Sequence, residues 1–481
     1  MTRDDNASER TDRIDDASTA TDRTAPDRAG RPHDIVVFGA TGFVGELVAK
    51  HLAAHAPAGT SIALAGRDRA KLSAVRDGLA GAPAGDGARA TTAADWPLIV
   101  ADASSESDMR ELAESTRVVL TLVGPYASYG RKLAHACAAA GTDYVDLTGE
   151  VLFAHDSIAA NHELAKSTGA RIVHSCGFDS IPSDIGVKVL HDAAAAAGDG
   201  NLGETTLVVT HMRGGVSGGT IDSMRRQLQE LKENKELGRI VRSAYSLNPG
   251  MRGPGPSYQD DAPIVAREEV YAGESGAFAP FFMAPYNTRI VRRTAALLDA
   301  DAGQRGVEGD PGTDGAGLGG ANVNGANAGD SVGYGEGFRY REVMSVGRGL
   351  KSAARARAVK AGMGALIGGM MFGPTAKLLD KKLPAPGEGP SEESRARGRF
   401  TIDVHSVTLS GAQWTSRVEL EKDPGYDGTA MMISAAALAL AFDRDRLPNR
   451  YGVLTPASGI GDALVDRLRE GGMKIEARKV K

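Results

Sequence analysis

Three glycines, Gly39, Gly42 and Gly45, punctuate the stretch "HDIVVFGATGFVGELVAKHLA" where an apolar run gives way to a helix-like one. At a strand-to-helix turn this spacing has a definable use. Gly39 permits the tight bend, Gly42 lets the backbone approach a pyrophosphate, and Gly45 lets the helix pack closely on the strand. Thr41, Phe43 and Val44 complete the predicted cofactor-binding turn, whose free amides and positive helix end face the phosphates. The spacing G-x-x-G-x-x-G is a variant of the dinucleotide fingerprint, and its place after a first strand supplies the required context.

A second site lies at the end of the next apolar run, "SIALAGRDRAKL". A carboxylate there reads the ribose 2′-hydroxyl of NAD, whereas a 2′-phosphate calls for arginine. The chain presents Arg67, with Lys71 one helical turn later, while Asp68 is placed either to read a ribose or to cap the following helix. NADP(H) is therefore the expected cofactor. In "TLVGPYASYGRKL", Gly124 and Pro125 follow a strand end that should lie by the nicotinamide ribose. Tyr126 is then positioned either to donate to a developing oxyanion and supply a proton, or to pack in a proline turn.

Other candidates for substrate chemistry are less specific. "CGFDSIPSD" offers Phe178, Asp179, Ser180 and Ser183 at another strand end, although Pro182 also marks a helix start. Asp179 is carried forward as catalytic. Asp146 and Glu150 in "YVDLTGE" either orient substrate or bind loop amides. In "GGVSGGTIDSM", Ser217 and Thr220 precede or open a helix and are the predicted substrate-binding hydroxyls, with a simple cap as the alternative. Cys137 and Cys176 lack an activating neighbour, and the histidines, His211 included, lack metal-ligand spacing, so no metal is expected.

The elements that must position these residues follow from the pattern. From Asp34 to about Leu190, near-continuous apolar strands alternate with Ala-rich helices, which predicts an α/β, Rossmann-type doubly wound parallel sheet over 33–200. Residues 201–426 read as a second α+β domain, with helices expected at 221–237 and 286–300, a flexible insertion at 301–335 and a Pro/Glu/Ser-rich break at 384–398. Residues 427–481 read as C-terminal helices packing back on the first domain, and 1–32 as a disordered tail.

Composition limits the function classes. The 481 residues carry a formal net charge of −5 and only 5% aromatics, which offers neither attraction nor stacking platforms for nucleic acid. Two cysteines exclude a disulfide framework and fit a reducing compartment, and the absence of a charged-then-apolar leader argues for a cytoplasmic protein. The run "KAGMGALIGGMMFGPTAKLLDKK", flanked by Arg355, Arg357, Lys381 and Lys382, is uncharged between Lys360 and Lys377. It is too short to span a bilayer and suits an interfacial segment touching membrane or a long acyl chain, with a buried core helix as the alternative.

The order of "VVFGATGFVG", "LAGRDRAKL", "LVGPYASYG", "YVDLTGE", "CGFDSIPSD", "GGVSGGT" and "LTPASGIGDALVDRL" resembles the saccharopine dehydrogenase-like oxidoreductases, and among them the trans-acting enoyl reductases of mycobacterial lipid synthesis. The resemblance covers about 33–225 and 400–472; the insertion at 301–335 and the charged tail depart from it. It implies an NADP-binding fold and reduction of a carbon–carbon double bond in a polyketide-derived acyl chain, held as a thioester on a separate carrier. A saccharopine-type imine or amino-acid oxidoreductase, and a non-catalytic NADP-binding lipid-surface scaffold, are the competing expectations. Homo-oligomerisation and peripheral membrane contact through 358–380 are left open alongside them.

Overall fold

The computed structural model describes residues 30–79, 93–214, 218–249, 261–305, 333–335, 337–371, 375 and 389–480. Six strands of the amino-terminal half, β1 (His33–Phe38), β2 (Ile62–Gly66), β3 (Leu98–Val100), β4 (Thr116–Thr121), β5 (Asp143–Val145) and β6 (Arg171–Val173), form a parallel sheet. A late strand, β13 (Gly452–Leu454), extends it beside β6, so the order is β13-β6-β5-β4-β1-β2-β3. The central strands are apolar on both faces because helices cover both. Ile35, Val37 and Leu64 pack into one core, and Val36, Phe38 and Ala63 into another. The covering helices are α1 (Phe43–His55), α2 (Arg69–Leu79), α3 (Glu106–Glu114), α4 (Tyr126–Ala140), α5 (Val151–Thr168) and α6 (Ile181–Ala196).

The second sheet is mixed. It comprises β7 (Leu202–Arg213), β8 (Val265–Ala266), β9 (Ala277–Pro280), β10 (Arg339–Met344), β11 (Arg399–Thr408), β12 (Gln413–Leu420) and β14 (Lys474–Lys479), in the order β14-β12-β11-β7-β10-β9-β8. Its helices are α7 (Gly218–Glu233), α8 (Leu237–Arg242), α9 (Ala284–Arg305) and α10 (Leu350–Met371). The largely apolar helix Asp427–Phe442 is buried against α1, β4 and β5 of the first sheet, and its core is continuous with Phe400, Ile402 and Val418 of the second.

Several expected boundaries differ. The tail expected over 1–32 falls mainly on residues 1–29, which lie outside the described residues. Arg31 already belongs to the first domain, donating to the carbonyls of Thr116 at 2.6 Å and Ala140 at 2.5 Å. Of the insertion expected over 301–335, residues 301–305 belong to α9, 306–332 lie outside the described residues, and 333–335 are docked. There Tyr334 is buried, supplying the aromatic anchor that the surrounding glycines mask. Of the break at 384–398, residues 392–396 form a short helix capped by Ser391. The carboxy-terminal segment is not helical throughout, since it contributes β13 to the first sheet and β14 to the second.

Candidate active site

A cavity of about 520 Å³ opens where the carboxyl ends of β1 and β4 face the second domain. Such crevices are where doubly wound sheets bind their ligands. Gly39, Gly42, Gly45, Gly124 and Pro125 line it on one side, and residues of α7, α9 and α10 on the other.

The glycine turn is shaped by three different demands. Gly39 has φ +92°, and a β-carbon there would stand 2.9 Å from Val123 Cγ2. A β-carbon on Gly45 would fall 2.2 Å from the Gly39 carbonyl oxygen, so helix and strand approach each other only because it is absent. At Gly42 the nearest atom would be Gly39 O at an ordinary 3.5 Å, so that glycine leaves room for something other than this chain. The amides of Phe43, Val44 and Gly45 have no acceptor among the described residues. Bare backbone, unsatisfied donors and a helix N-terminus together suit a diphosphate. Thr41 lies in the same turn but outside the cavity lining.

At the end of β2, Asp68 Oδ1 accepts from the amides of Ala70 at 3.0 Å and Lys71 at 3.1 Å, which makes it the cap of α2. Of the two roles open to Asp68 in the sequence, its Oδ1 takes that of the cap. Arg67 is exposed beside it, near enough to Asp102 to lower that carboxyl's pKa after the hydrogen bonds from Ser104.

Tyr126 lines the cavity, but its hydroxyl donates to Thr121 O at 3.3 Å and accepts from Leu147 N at 3.1 Å. Burial pushes this hydroxyl well above its usual pKa. In this structure its hydroxyl is engaged by backbone on both counts, once as donor and once as acceptor. Glu150 accepts from the amides of Tyr126 at 2.9 Å and Ala127 at 2.8 Å at the positive end of α4, and from Ser223 Oγ of α7 at 2.7 Å. Asp146 is likewise internal, binding the amides of Thr148 and Ser175, the Tyr144 hydroxyl and His174. Both acids anchor loops.

Asp179 is different. After β6, Ser175 takes φ +65°, a left-handed conformation rare outside glycine, held by Asp146 and by a 2.6 Å hydrogen bond between its hydroxyl and that of Tyr286. Ile181 N donates to Gly177 O at 2.9 Å to close the turn, and Phe178 N donates to Thr429 Oγ1 at 3.1 Å. The Asp179 carboxyl emerges from this pinned loop into the cavity with no hydrogen-bond partner among the described residues. A β-carbon on Gly149 would lie 4.0 Å from its Oδ2. Burial pushes its pKa up to about 6.

The remaining predicted residues fall elsewhere. Ser180 and Ser183 are buried against Asn287 of α9, away from the cavity lining. Ser217, and the side chain of Thr220, lie outside the described residues. From that segment the cavity instead takes Gly218, Gly219, Asp222 and Ser223. Cys137 and Cys176 are buried thiols with raised pKa. Among the described residues no group of three or more His, Cys, Asp or Glu side chains is arranged to hold a metal ion.

Two contributions were not anticipated, and a third gives the 358–380 run its place. Tyr286 of α9 and Met283, the residue just before that helix, line the cavity with Asp179. Along α7, Ser223 and Gln227 latch the helix to the first domain, Gln227 Oε1 accepting from Val151 N at 3.1 Å, while Met224, Leu228 and Leu231 face the cavity. The i, i+4, i+7 spacing of those apolar residues was visible but marks any half-buried helix. Of the segment 358–380, described over 358–371 and at 375, Met363, Leu366 and Ile367 line the cavity. Among the described residues no helix is long and apolar enough to cross a membrane.

Comparison with known proteins agrees with this architecture. Residues 35–173 match the family model described as the saccharopine dehydrogenase NADP binding domain. A Mycobacterium tuberculosis protein named for trans-acting enoyl reduction is 40% identical over 461 residues, covering 94% of this chain and 98% of its own. The trans-acting enoyl reductase of Mycobacterium ulcerans is 38% identical over 466 residues, covering 94% and 99%. Among solved structures, saccharopine dehydrogenase (L-Glu forming) from Saccharomyces cerevisiae aligns at 12% identity with a TM-score of 0.45, over 93% of this chain and all of that one.

Proposed function

The chain belongs to the family of trans-acting enoyl reductases, and from that membership we propose that it reduces the α,β-double bond of an acyl thioester delivered by a separate synthase. Bound NADPH supplies the hydride that reaches the β-carbon. The amides of Phe43, Val44 and Gly45 hold the diphosphate, and Arg67 holds the 2′-phosphate. The one observation that carries the reading is that the glycine turn and the unpartnered Asp179 carboxyl share a single apolar cavity.

Asp179 serves as the acid that returns a proton to the α-carbon. Its raised pKa keeps part of the population protonated near neutrality, and among the described residues no hydrogen bond competes for that proton. Tyr126 acts at one remove, fixing the Leu147 loop that borders the same space. A dicarboxylic imine is disfavoured because Arg289, the one cationic side chain lining the cavity among the described residues, is already bound to Asp261 and to Ser246 Oγ. Contact of α10 with a lipid surface and self-association are not required for this chemistry.

The test is NADPH oxidation with a crotonyl thioester. The rate should fall as pH rises through about 6, as the Asp179 proton is lost. Asp179→Asn should lower kcat by roughly 10²-fold or more and remove that limb while NADPH still binds. A variant with wild-type kcat and an unchanged pH profile would exclude Asp179 as the acid; wild-type protein that binds NADPH but reduces no enoyl thioester would overturn the reading.

A further inference from the structure

The cavity lining is mostly apolar and includes residues well removed in the chain from the glycine turn and Asp179. Besides Asp179 and Met283, the lining includes residues of two helices from different parts of the chain. One wall is α7, where Leu228 and Leu231 follow Met224 at helical spacing; the other is α10, where Met363, Leu366 and Ile367 recur on one side. No charged side chain of α10 lies between Lys360 and the helix end at Met371. Ile367 is 41% exposed while lining the cavity, which places the outer end of the seam at the molecular surface.

The two walls are held differently. Ser223 and Gln227 fasten α7 to the first domain through Glu150 and Val151 N. Helix α10 is anchored at its amino-terminal half, where Ser352 Oγ accepts from Ala277 N at 2.9 Å and Ala356 packs against Ala277 and Ala279. Beyond that point, Gly362, Gly364 and Gly368 would meet nothing with an added β-carbon. The second half of α10 therefore covers the seam mainly through Met363, Leu366 and Ile367.

We infer that the seam between α7 and α10 is the seat of the acyl chain distal to the double bond, and that Leu231, Leu366 and Ile367 set preference for long over short acyl thioesters. The occupant follows from continuity with the reaction cavity, from a seam whose walls on α7 and α10 are the apolar Leu228, Leu231, Met363, Leu366 and Ile367, and from the exposure of Ile367, where a long tail can extend. Methionines at the inner end adapt to a flexible chain without demanding one shape. This rests on the enoyl-thioester reading above.

The experiment compares crotonyl and trans-2-hexadecenoyl N-acetylcysteamine thioesters as substrates, and measures displacement of a pyrene-labelled fatty acid by palmitoyl N-acetylcysteamine without turnover. Leu231→Trp and Leu366→Trp fill the seam; Ile367→Glu places a charge at its exposed end, where folding is not at stake. Each should lower the long-to-short ratio of kcat/KM by about tenfold or more and should weaken palmitoyl displacement in parallel. Ratios and displacement unchanged in Ile367→Glu and in whichever Trp variants fold would overturn the inference. If wild-type protein reduces neither thioester, the enoyl reading has failed, and palmitoyl displacement alone decides whether the seam holds a chain.

Discussion

At the scale of single residues, cofactor choice turns on which side chain is already engaged. Asp68 spends its carboxylate on the amides of Ala70 and Lys71, so the acid that sequence alone left ambiguous is a cap. Arg67 is left as the ionic group at the strand end, and it is exposed, as a residue that waits for a charged ligand must be. A charge-assisted hydrogen bond is worth about 1.5–3 kcal/mol, so Arg67→Ala should weaken NADPH binding roughly 10- to 100-fold. NADH binding should be nearly unchanged; titrating nucleotide fluorescence with each cofactor measures both, and an equal loss for the two would show that Arg67 does not read the 2′-phosphate. Tyr126 teaches the complementary lesson. Its type and loop position were legible, but whether its hydroxyl was free depended on Thr121 and Leu147, whose arrangement no spacing rule conveys.

At the scale of elements, the turn from β1 to α1 separates two kinds of glycine that look alike in a sequence. Gly45 is required by the chain itself, since a β-carbon would overlap the Gly39 carbonyl; Gly42 is bare toward the cavity. Gly45→Ala should thus force strand and helix apart and lower Tm, at a cost of about 1–3 kcal/mol as for an overpacked core. Gly42→Asp should leave Tm within a few degrees yet abolish saturable NADPH binding, because it sets a carboxylate where a diphosphate must lie. Thermal melts and fluorescence titration of both variants test the distinction; equal destabilisation would remove it. The first sheet was readable because buried parallel strands are nearly continuous apolar runs and the glycine turn has a fixed context. The second domain's contribution was not, because α7 and α10 meet across more than a hundred residues and their inner faces carry only the general signature of half-buried helices. Tyr334 and β14 were missed for a related reason, being short pieces whose partners are remote in the chain.

At the scale of the whole molecule, the two sheets are joined by buried polar groups that make stability depend on pH. Glu342 of β10 accepts from Tyr340 at 2.8 Å and from Asn287 of α9 at 3.1 Å, and Asn287 in turn meets Ser180 and Ser183 of the first domain. Burial pushes the Glu342 carboxyl up to about 7, and that of Asp184, bound to Thr294 and Ala457 N, up to about 6. Both folded-state values exceed those of an unfolded chain. Between about pH 4 and pH 7 these two carboxyls hold protons in the folded protein that the unfolded chain has lost, so their contribution to stability declines as pH rises through that window, while His51 and His162, lowered by burial to about 3 and about 4, contribute in the opposite sense. The share of the pH dependence that Glu342 carries should favour pH 5 over pH 8. Glu342→Gln cannot ionise, so it should flatten the decline, even though replacing one carboxylate oxygen by a donor weakens a site built to accept. The slope of Tm against pH, rather than Tm itself, is the discriminating quantity. A variant that keeps the wild-type slope would show that Glu342 is already ionised at pH 5, and that the junction between the sheets is not where the protein senses acid.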